Sequence, residues 1–179
     1  LIKLPEKNLI ILSIRDYNSP EYLNWLKLIG NWDLFISCIG NLSPVGKFED
    51  VSPEKWVESV SINSTYQIAA LMMALKFRSR KKTPTVLFFA GGGTNSATKS
   101  YSAYTIGKIS LIKSIELLDH EIKDIKFFIL GPGWVKTKIH NATLNKKKLA
   151  DENYNKTVEM FKHPEKFNPI NKVIDDILK

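Results

Sequence analysis

The chain of 179 residues is 44% hydrophobic and 25% charged, the length and balance of one domain with a buried core, which excludes extensive disorder. Its apolar runs are far shorter than the ~20 residues of a membrane-spanning helix, so we expect no membrane partner. The net charge of +8 comes from separate short clusters without interleaved aromatic residues or a base-reading motif, which argues against nucleic acid and favours a solvated surface or an anionic small molecule.

Four short runs of continuously apolar residues predict β-strands. They are residues 9–14, 34–40, 85–91 and 125–131. A run without polar alternation is typical of a strand covered on both faces, as in a parallel sheet. The sequence therefore predicts four parallel strands.

Helices are predicted between these strands. Ser19-Pro20-Glu21 and Ser52-Pro53-Glu54 each place a serine at the N-cap, a proline at the first helical position and a carboxylate in the first turn. Long helices are predicted over 53–77 and 100–121. The second is apolar nearly all round, so we expect it to be covered by the sheet and by another subunit.

The alternation of strands and helices predicts an α/β domain over residues 1–179. We expect a Rossmann-type doubly wound parallel sheet with three α/β/α layers. Each predicted strand is followed by an unusual polar or glycine-rich segment, such as "GGGTNSATKS" and "GPGWVKTKIH". Because ligands bind at the carboxyl edge of open parallel sheets, we expect the functional site there.

Tyr104 and Lys108 are the strongest candidates for chemistry. Four residues apart on a helix, their side chains share one face. An ammonium about 4 Å from a phenol stabilises the phenolate by roughly 4 kcal/mol at an effective dielectric of about 20, enough to bring the phenol pKa near 7. The pair predicts a general acid–base, although such a pair alone is also compatible with ordinary packing.

Three other motifs accompany the pair in the same order and at similar spacing as in the short-chain dehydrogenase/reductase family, which the chain resembles over essentially its whole length. They are "SCIG" at residues 37–40, Asn63 on the preceding helix, and "PGWVKT" at residues 132–137. The resemblance implies an oxidoreductase that uses NAD or NADP. It also implies a homodimer or homotetramer through helices 53–77 and 100–121.

The resemblance implies a role for each matching residue. Tyr104 would exchange the proton, Lys108 would lower the tyrosine pKa and bind the nicotinamide ribose, and Asn63 would hold a relay water. Asn63 is also compatible with a satisfied core amide, and Asp16 with an ordinary turn residue. The implied cofactor contacts, besides Tyr104 and Lys108, are Asp16, Cys38, Ile39, Gly40, Pro132, Gly133, Val135 and Thr137.

The position of the catalytic serine of the family is occupied by Gly91. A glycine has no side chain to donate to a substrate carbonyl, and losing such a donor costs a few kcal/mol of transition-state stabilisation. Thr94, Ser96 or the backbone N–H groups of residues 91–93 are the alternative donors, and a close-packed turn is the other interpretation of the three glycines. His140 is a further candidate substrate contact, and a similar glycine run in relatives associated with surface polysaccharides makes a sugar-related substrate plausible.

The glycine-rich loop that binds the cofactor pyrophosphate in this family is not found in the sequence. Residue 1 already corresponds to the approach to the third strand of the family, and "NKVIDDILK" corresponds to its penultimate helix. We therefore expect a sheet incomplete at both ends and a gene that extends about 60 residues upstream. NAD cannot be distinguished from NADP from these residues.

Cys38 is the only cysteine, which excludes an internal disulfide and makes a reducing cytoplasm the simplest location. We expect it to be a small buried side chain, and we expect no metal site because the histidines are scattered. The sequence thus predicts a cytoplasmic oxidoreductase that interconverts a carbonyl and a secondary alcohol. A nucleotide-sugar epimerase or dehydratase and a catalytically weakened binding protein are the alternatives.

Overall fold

The computed structural model describes residues 13–178, and its sheet contains three parallel strands in the order β1-β2-β3. These strands are β1 (Leu34–Ser37), β2 (Thr85–Phe89) and β3 (Lys126–Leu130). They confirm three of the four predicted strands. Most of the remaining one, residues 9–12, lies outside the described residues. Its predicted end is wrong, because Ser13 caps a 3-10 turn over Ile14–Asp16.

Helices connect and follow the strands. The α-helices are α1 (Pro20–Ile29), α2 (Pro53–Asn63), α3 (Thr65–Ala74), α4 (Ser102–Glu121), α5 (Asn141–Leu144), α6 (Lys147–Ala150), α7 (Glu152–Lys162) and α8 (Ile170–Leu178). Both predicted serine caps are confirmed, since Ser19 Oγ accepts from the amide of Tyr22 and Ser52 Oγ accepts from the amide of Lys55. None of the described helices has the length and apolarity needed to span a bilayer.

The prediction of one continuous helix over 53–77 is wrong. Ser64, with φ −143° and ψ −83°, separates α2 from α3, and a 3-10 turn over Leu75–Phe77 ends the segment. The Ser64 hydroxyl donates to the Val60 carbonyl at 2.7 Å. The neighbouring Asn63 side chain donates to the Ser59 carbonyl, so side chains occupy carbonyls in the last turn of α2.

The main core lies between the sheet and helices α1, α3 and α4. Its fully buried members include Leu71, Val86, Phe88 and Leu111. On the opposite face of the sheet Leu87 is buried, whereas Ile36 and Phe128 beside it are 41% and 51% exposed. The parallel α/β fold is confirmed, but burial on both faces holds in the described residues only for the central strand β2.

Candidate active site at the carboxyl edge of the sheet

Tyr104 and Lys108 lie on the face of α4 that packs against the end of β2. A Cβ atom built on Gly91 would lie 2.5 Å from the Tyr104 hydroxyl oxygen and 2.8 Å from Lys108 Cγ. Both side chains therefore contact the same short stretch of backbone, just beyond the last residue of β2. The structure thus places both side chains on one face of α4, as the sequence predicted.

Lys108 is 2% exposed, and its ammonium is held by two main-chain carbonyls. Nζ donates to the Ile39 oxygen and to the Phe89 oxygen, each at 2.9 Å. These carbonyls lie at the carboxyl ends of β1 and β2, so the lysine bridges the two strands. Within the described chain these two carbonyls are the hydrogen-bond acceptors of the Lys108 ammonium. One of its three N–H donors is therefore left for another group.

Burial lowers the pKa of Lys108 from 10.5 to about 8, despite the opposing influence of the Cys38 thiolate. The unfolded chain therefore binds more protons than the folded chain between about pH 8 and pH 10.5, and the stability of the protein rises with pH in that window. We expect Lys108→Met to remove about 2 kcal/mol of the rise between pH 8 and pH 10. Urea unfolding of both proteins at these two pH values measures the difference, and equal pH dependence would contradict it.

Tyr104 is 8% exposed and packs in a small apolar cluster with Val45, Tyr101 and Ala150. Burial raises the pKa of Tyr104 to about 12. The expectation that Lys108 brings the phenol near pH 7 is therefore wrong for this state of the protein. Burial is the cause of this rise, and the ammonium of Lys108 donates to the Ile39 and Phe89 carbonyl oxygens. The Tyr104 hydroxyl has no hydrogen-bond partner in residues 13–178.

Gly91 provides the space that the Tyr104 ring occupies. The same built Cβ atom would lie 2.7 Å from Tyr104 Cζ, so a side chain at position 91 and this orientation of the ring exclude one another. Thr94 does not replace the missing serine here, because its hydroxyl donates to the Gly91 carbonyl at 3.3 Å. Ser96 is exposed farther along the same loop.

Asn63 is completely buried and clamps the loop that follows β1. Its Oδ1 accepts from the Asn41 amide at 3.0 Å, and its Nδ2 donates to the Asn41 carbonyl at 2.8 Å and to the Ser59 carbonyl at 2.9 Å. Protein groups thus occupy both ends of the amide. This geometry favours the interpretation of Asn63 as a core amide whose hydrogen bonds are made within the protein, rather than as a residue that holds a relay water.

Gly107, within the same helical motif as the tyrosine and lysine, was missed as a site residue by sequence reasoning. A Cβ atom at this position would lie 2.7 Å from Asn63 Cβ and 3.1 Å from the Val60 carbonyl oxygen. The glycine therefore allows α2 to approach α4 closely at Val60 and Asn63. Only the spacing of the two helices reveals this requirement.

We expect Gly107→Ala to lower the free energy of unfolding by about 1 kcal/mol. Alanine gains about 1 kcal/mol of helix propensity, but overpacking against atoms at or near the backbone costs about 1–3 kcal/mol. Denaturant unfolding measures the change, with Ser110→Ala on an exposed position of the same helix as the control. A stabilised Gly107→Ala protein would contradict the close approach of the helices.

The turn after β1 borders a cavity in the structure. Ile39 lines a cavity of about 180 Å³ together with Tyr17, Tyr22 and Trp25.

Cys38 is exposed, so its prediction as a buried side chain is wrong: the strand end presents it on the open face of the sheet. Partial desolvation by the surrounding chain nevertheless raises the thiol pKa, with Lys108 acting in the opposite direction.

Gly40 ends this turn next to the loop that follows β3. A Cβ atom on Gly40 would lie 3.1 Å from Ile139 Cδ1.

Asp16 is exposed, near the cavity wall formed by Ser13 and Ile14. Its carboxylate accepts from the Ser13 amide at 3.2 Å and completes a capping box, so the structure gives Asp16 a local turn function.

The "PGWVKT" turn after β3 is fastened by Asn168, a residue that sequence reasoning missed. Asn168 Nδ2 donates to the Pro132 carbonyl at 2.6 Å, and the Asn168 amide donates to the Trp134 carbonyl at 2.7 Å. Gly133 adopts φ +69°, and a Cβ atom there would lie 2.7 Å from Asn168 Nδ2. Val135 is half-buried and Thr137 is exposed.

His140 lies in an aromatic cluster rather than facing an open site. Its ring stacks on Trp134 with centroids 5.1 Å apart and meets Phe161 and Phe167 edge-on. His140 Nε2 is 2.9 Å from the Val135 carbonyl oxygen. This cluster joins the turn after β3 to α7 and the segment before α8. Among residues 13–178 no three histidine, cysteine, aspartate or glutamate side chains are grouped to hold a metal ion.

A family profile described as enoyl-(acyl carrier protein) reductase matches residues 24–165. This region contains the Tyr104 and Lys108 pair, Asn63 and the turn after β3. No curated protein sequence matches the chain.

Solved structures with the same fold cover most of this chain. A short chain dehydrogenase/reductase from Saccharomyces cerevisiae has a TM-score of 0.76 at 18% identity, with 89% of this chain and 64% of that chain covered. Aldohexose dehydrogenase of Thermoplasma acidophilum gives 0.78 at 16%, covering 94% and 69%. An alcohol dehydrogenase from Thermococcus sibiricus, complexed with 5-hydroxy-NADP, gives 0.62 at 18%, covering 73% and 56%. The chain thus spans between about half and two thirds of the length of these proteins.

Proposed function

The chain belongs to the short-chain dehydrogenase/reductase family, and we propose that it interconverts a carbonyl and a secondary alcohol with NAD or NADP as hydride carrier. One observation carries this proposal. Tyr104 and Lys108 lie side by side against Gly91 at the carboxyl edge of the sheet, and the tyrosine hydroxyl is left without a protein partner in the described chain. A phenol in this position is available to a ligand oxygen.

The proton chemistry would be divided between the two side chains. The Tyr104 hydroxyl would donate its proton to the substrate oxygen in the reductive direction, a step that starts from the protonated phenol. The Lys108 ammonium would stabilise the phenolate left behind. Its unassigned third N–H would bind a ribose hydroxyl, as the family resemblance implies.

The residues present would hold the adenosine and nicotinamide ends of a cofactor at this edge. The cavity beside Ile39 would receive the adenosine end, with Cys38, Gly40 and Asp16 near its rim. The backbone of Pro132–Thr137, held by Asn168, would face the nicotinamide end. When bound, the cofactor supplies or accepts the hydride. Because Gly91 has no side-chain donor, we propose that backbone N–H groups of residues 91–93 polarise the substrate oxygen.

The substrate class that we propose first is an anionic sugar derivative. The turn after β3 and the segment from it to α7 together carry five lysines, at positions 136, 138, 146, 147 and 148. In the described chain none of these lysines forms an ion pair with an acidic side chain, and Lys136 and Lys147 lie over aromatic rings instead. Their charge would attract a phosphorylated or nucleotide-linked ligand.

We also propose a homodimer or homotetramer formed through α2, α3 and α4. Five large apolar side chains of these helices are between 42% and 60% exposed: Val57, Met72, Ile106, Ile109 and Leu117. Exposed apolar side chains on neighbouring helices are typical of an interface between subunits. Sedimentation analysis of the full chain tests this assembly, with a monomer at all concentrations as the contrary result.

The function is tested by incubating the full-length protein with NADH or NADPH and a panel of ketones, aldehydes, sugars and nucleotide sugars. Net oxidation of the cofactor, followed by its absorbance, supports the reductase. Retained cofactor with isomerised sugar and no net oxidation would instead favour an epimerase or dehydratase. Cofactor titration by fluorescence separates loss of binding from loss of chemistry.

A cofactor-binding protein with weakened chemistry is the second candidate. Two observations favour it: Gly91 lacks the serine hydroxyl of the family, and burial raises the pKa of Tyr104 to about 12. For such a protein, cofactor affinity is measurable while every substrate in the panel is left unchanged. Tyr104→Phe then has no effect on any measured property except stability.

A further inference from the structure

We propose that Gln67 is a positioning residue of the site, because it fixes the Ile39 carbonyl that holds the Lys108 ammonium. The inference rests on the proposed function in so far as Lys108 serves the reaction. Gln67 is the only glutamine of the chain and lies in the first turn of α3, four residues after Asn63, the last residue of α2. It does not belong to any motif identified in the sequence.

The side chain of Gln67 is 1% exposed and uses both ends of its amide. Oε1 accepts from the Ser37 hydroxyl at 2.6 Å, and Nε2 donates to the Ile62 carbonyl at 2.9 Å and to the Ile39 carbonyl at 3.3 Å. Carbonyl oxygens only accept, so the amide nitrogen must face them and the serine must donate to the amide oxygen. The orientation of the amide is therefore determined by its partners.

The Ile39 carbonyl needs a side chain to hold it in position, whereas the Phe89 carbonyl, the other acceptor of Lys108, does not. Phe89 is the last residue of β2 and is paired with Leu130 in the sheet. Ile39 lies two residues beyond the end of β1, where the ladder with β2 has ended. Gln67 Nε2 is the further donor that holds this carbonyl in place, and Lys108 Nζ meets it at 2.9 Å.

Lysine titration in the full chain without cofactor or substrate tests this role. The titration midpoint of Lys108 is measured by NMR from its Cε and Hε shifts. In Gln67→Met, which keeps the length of the side chain but has no donor, we expect this midpoint to fall by about half a pH unit or more, because the ammonium loses a preorganised acceptor.

Ser37→Ala is the matched control. It removes one hydrogen bond from the same glutamine but leaves both Nε2 donations, so it should lower the melting temperature without moving the Lys108 midpoint. An unchanged midpoint in Gln67→Met, or an equal shift in both variants, would overturn the proposal.

A measurement on the unsubstituted protein covers the case in which Gln67→Met does not fold. Selective ¹⁵N labelling of glutamine gives a single side-chain amide signal, since the chain has one glutamine. We expect its protons to exchange at least about tenfold more slowly than those of a free glutamine amide. Exchange at the free rate would refute the contacts. Neither measurement depends on turnover, so failure of the positioning role is distinct from failure of the proposed function.

Discussion

Tyr104→Phe is expected to reduce the rate of carbonyl reduction by 10²- to 10⁴-fold, the usual contribution of a positioned acid–base group. The phenol is the titratable group that reaches Gly91 with its hydroxyl unpartnered in the described chain, so no neighbouring side chain is placed to take over the proton transfer. Cofactor affinity should change little, because the ring is retained. Steady-state kinetics and cofactor titration of both proteins measure the two effects.

Tyr101→Phe is the matched control for this substitution. Tyr101 is 6% exposed, belongs to the same apolar cluster, and its hydroxyl lies 2.7 Å from Thr143 Oγ1. Loss of that hydrogen bond should lower the free energy of unfolding by about 1 kcal/mol with little effect on the rate. If both variants lose the same activity, or if Tyr104→Phe keeps its activity, Tyr104 is not the acid–base group.

Gly91→Ser, which introduces the residue that the family carries, is expected to damage the site rather than to improve it. The new Cβ atom would lie 2.5 Å from the Tyr104 hydroxyl oxygen and 2.8 Å from Lys108 Cγ, closer than real Cβ contacts. We expect overpacking to cost about 1–3 kcal/mol of stability. A displacement of the tyrosine by about 1 Å would lower the rate by about 10²-fold.

Two further variants isolate this clash. Gly92→Ser places the same side chain one residue later, where a Cβ atom has no neighbour within 4 Å, and should leave the free energy of unfolding nearly unchanged. In a Tyr104→Ala background the stability cost of Gly91→Ser should shrink, since the ring that it contacts is gone. A Gly91→Ser protein that is as stable as the parent and faster would show that the missing hydroxyl, not the space, limits this site.

The sequence alone predicted the elements whose signals are local. Apolar runs located β1, β2 and β3, and a serine followed by proline and glutamate located the starts of α1 and α2. Such signals work because strand burial and helix capping depend on residues a few positions apart. The face shared by Tyr104 and Lys108 was predictable for the same reason, from the helical repeat.

The tertiary structure decided the features that join distant residues. The contacts of Gln67 with Ser37 and of Lys108 with Ile39 span 30 and 69 positions, and Asn168 reaches back 36 positions to Pro132. No short-range pattern carries that information.

The pKa values of Tyr104 and Lys108 could likewise not be predicted from the sequence. A Coulomb estimate from spacing alone placed the Tyr104 pKa near 7, whereas burial raises it to about 12 and lowers that of Lys108 to about 8. Desolvation depends on everything packed around a side chain, including the apolar cluster with Val45 and Ala150. The sequence thus determined which residues face one another along α4, and the packed fold determined the protons that they hold.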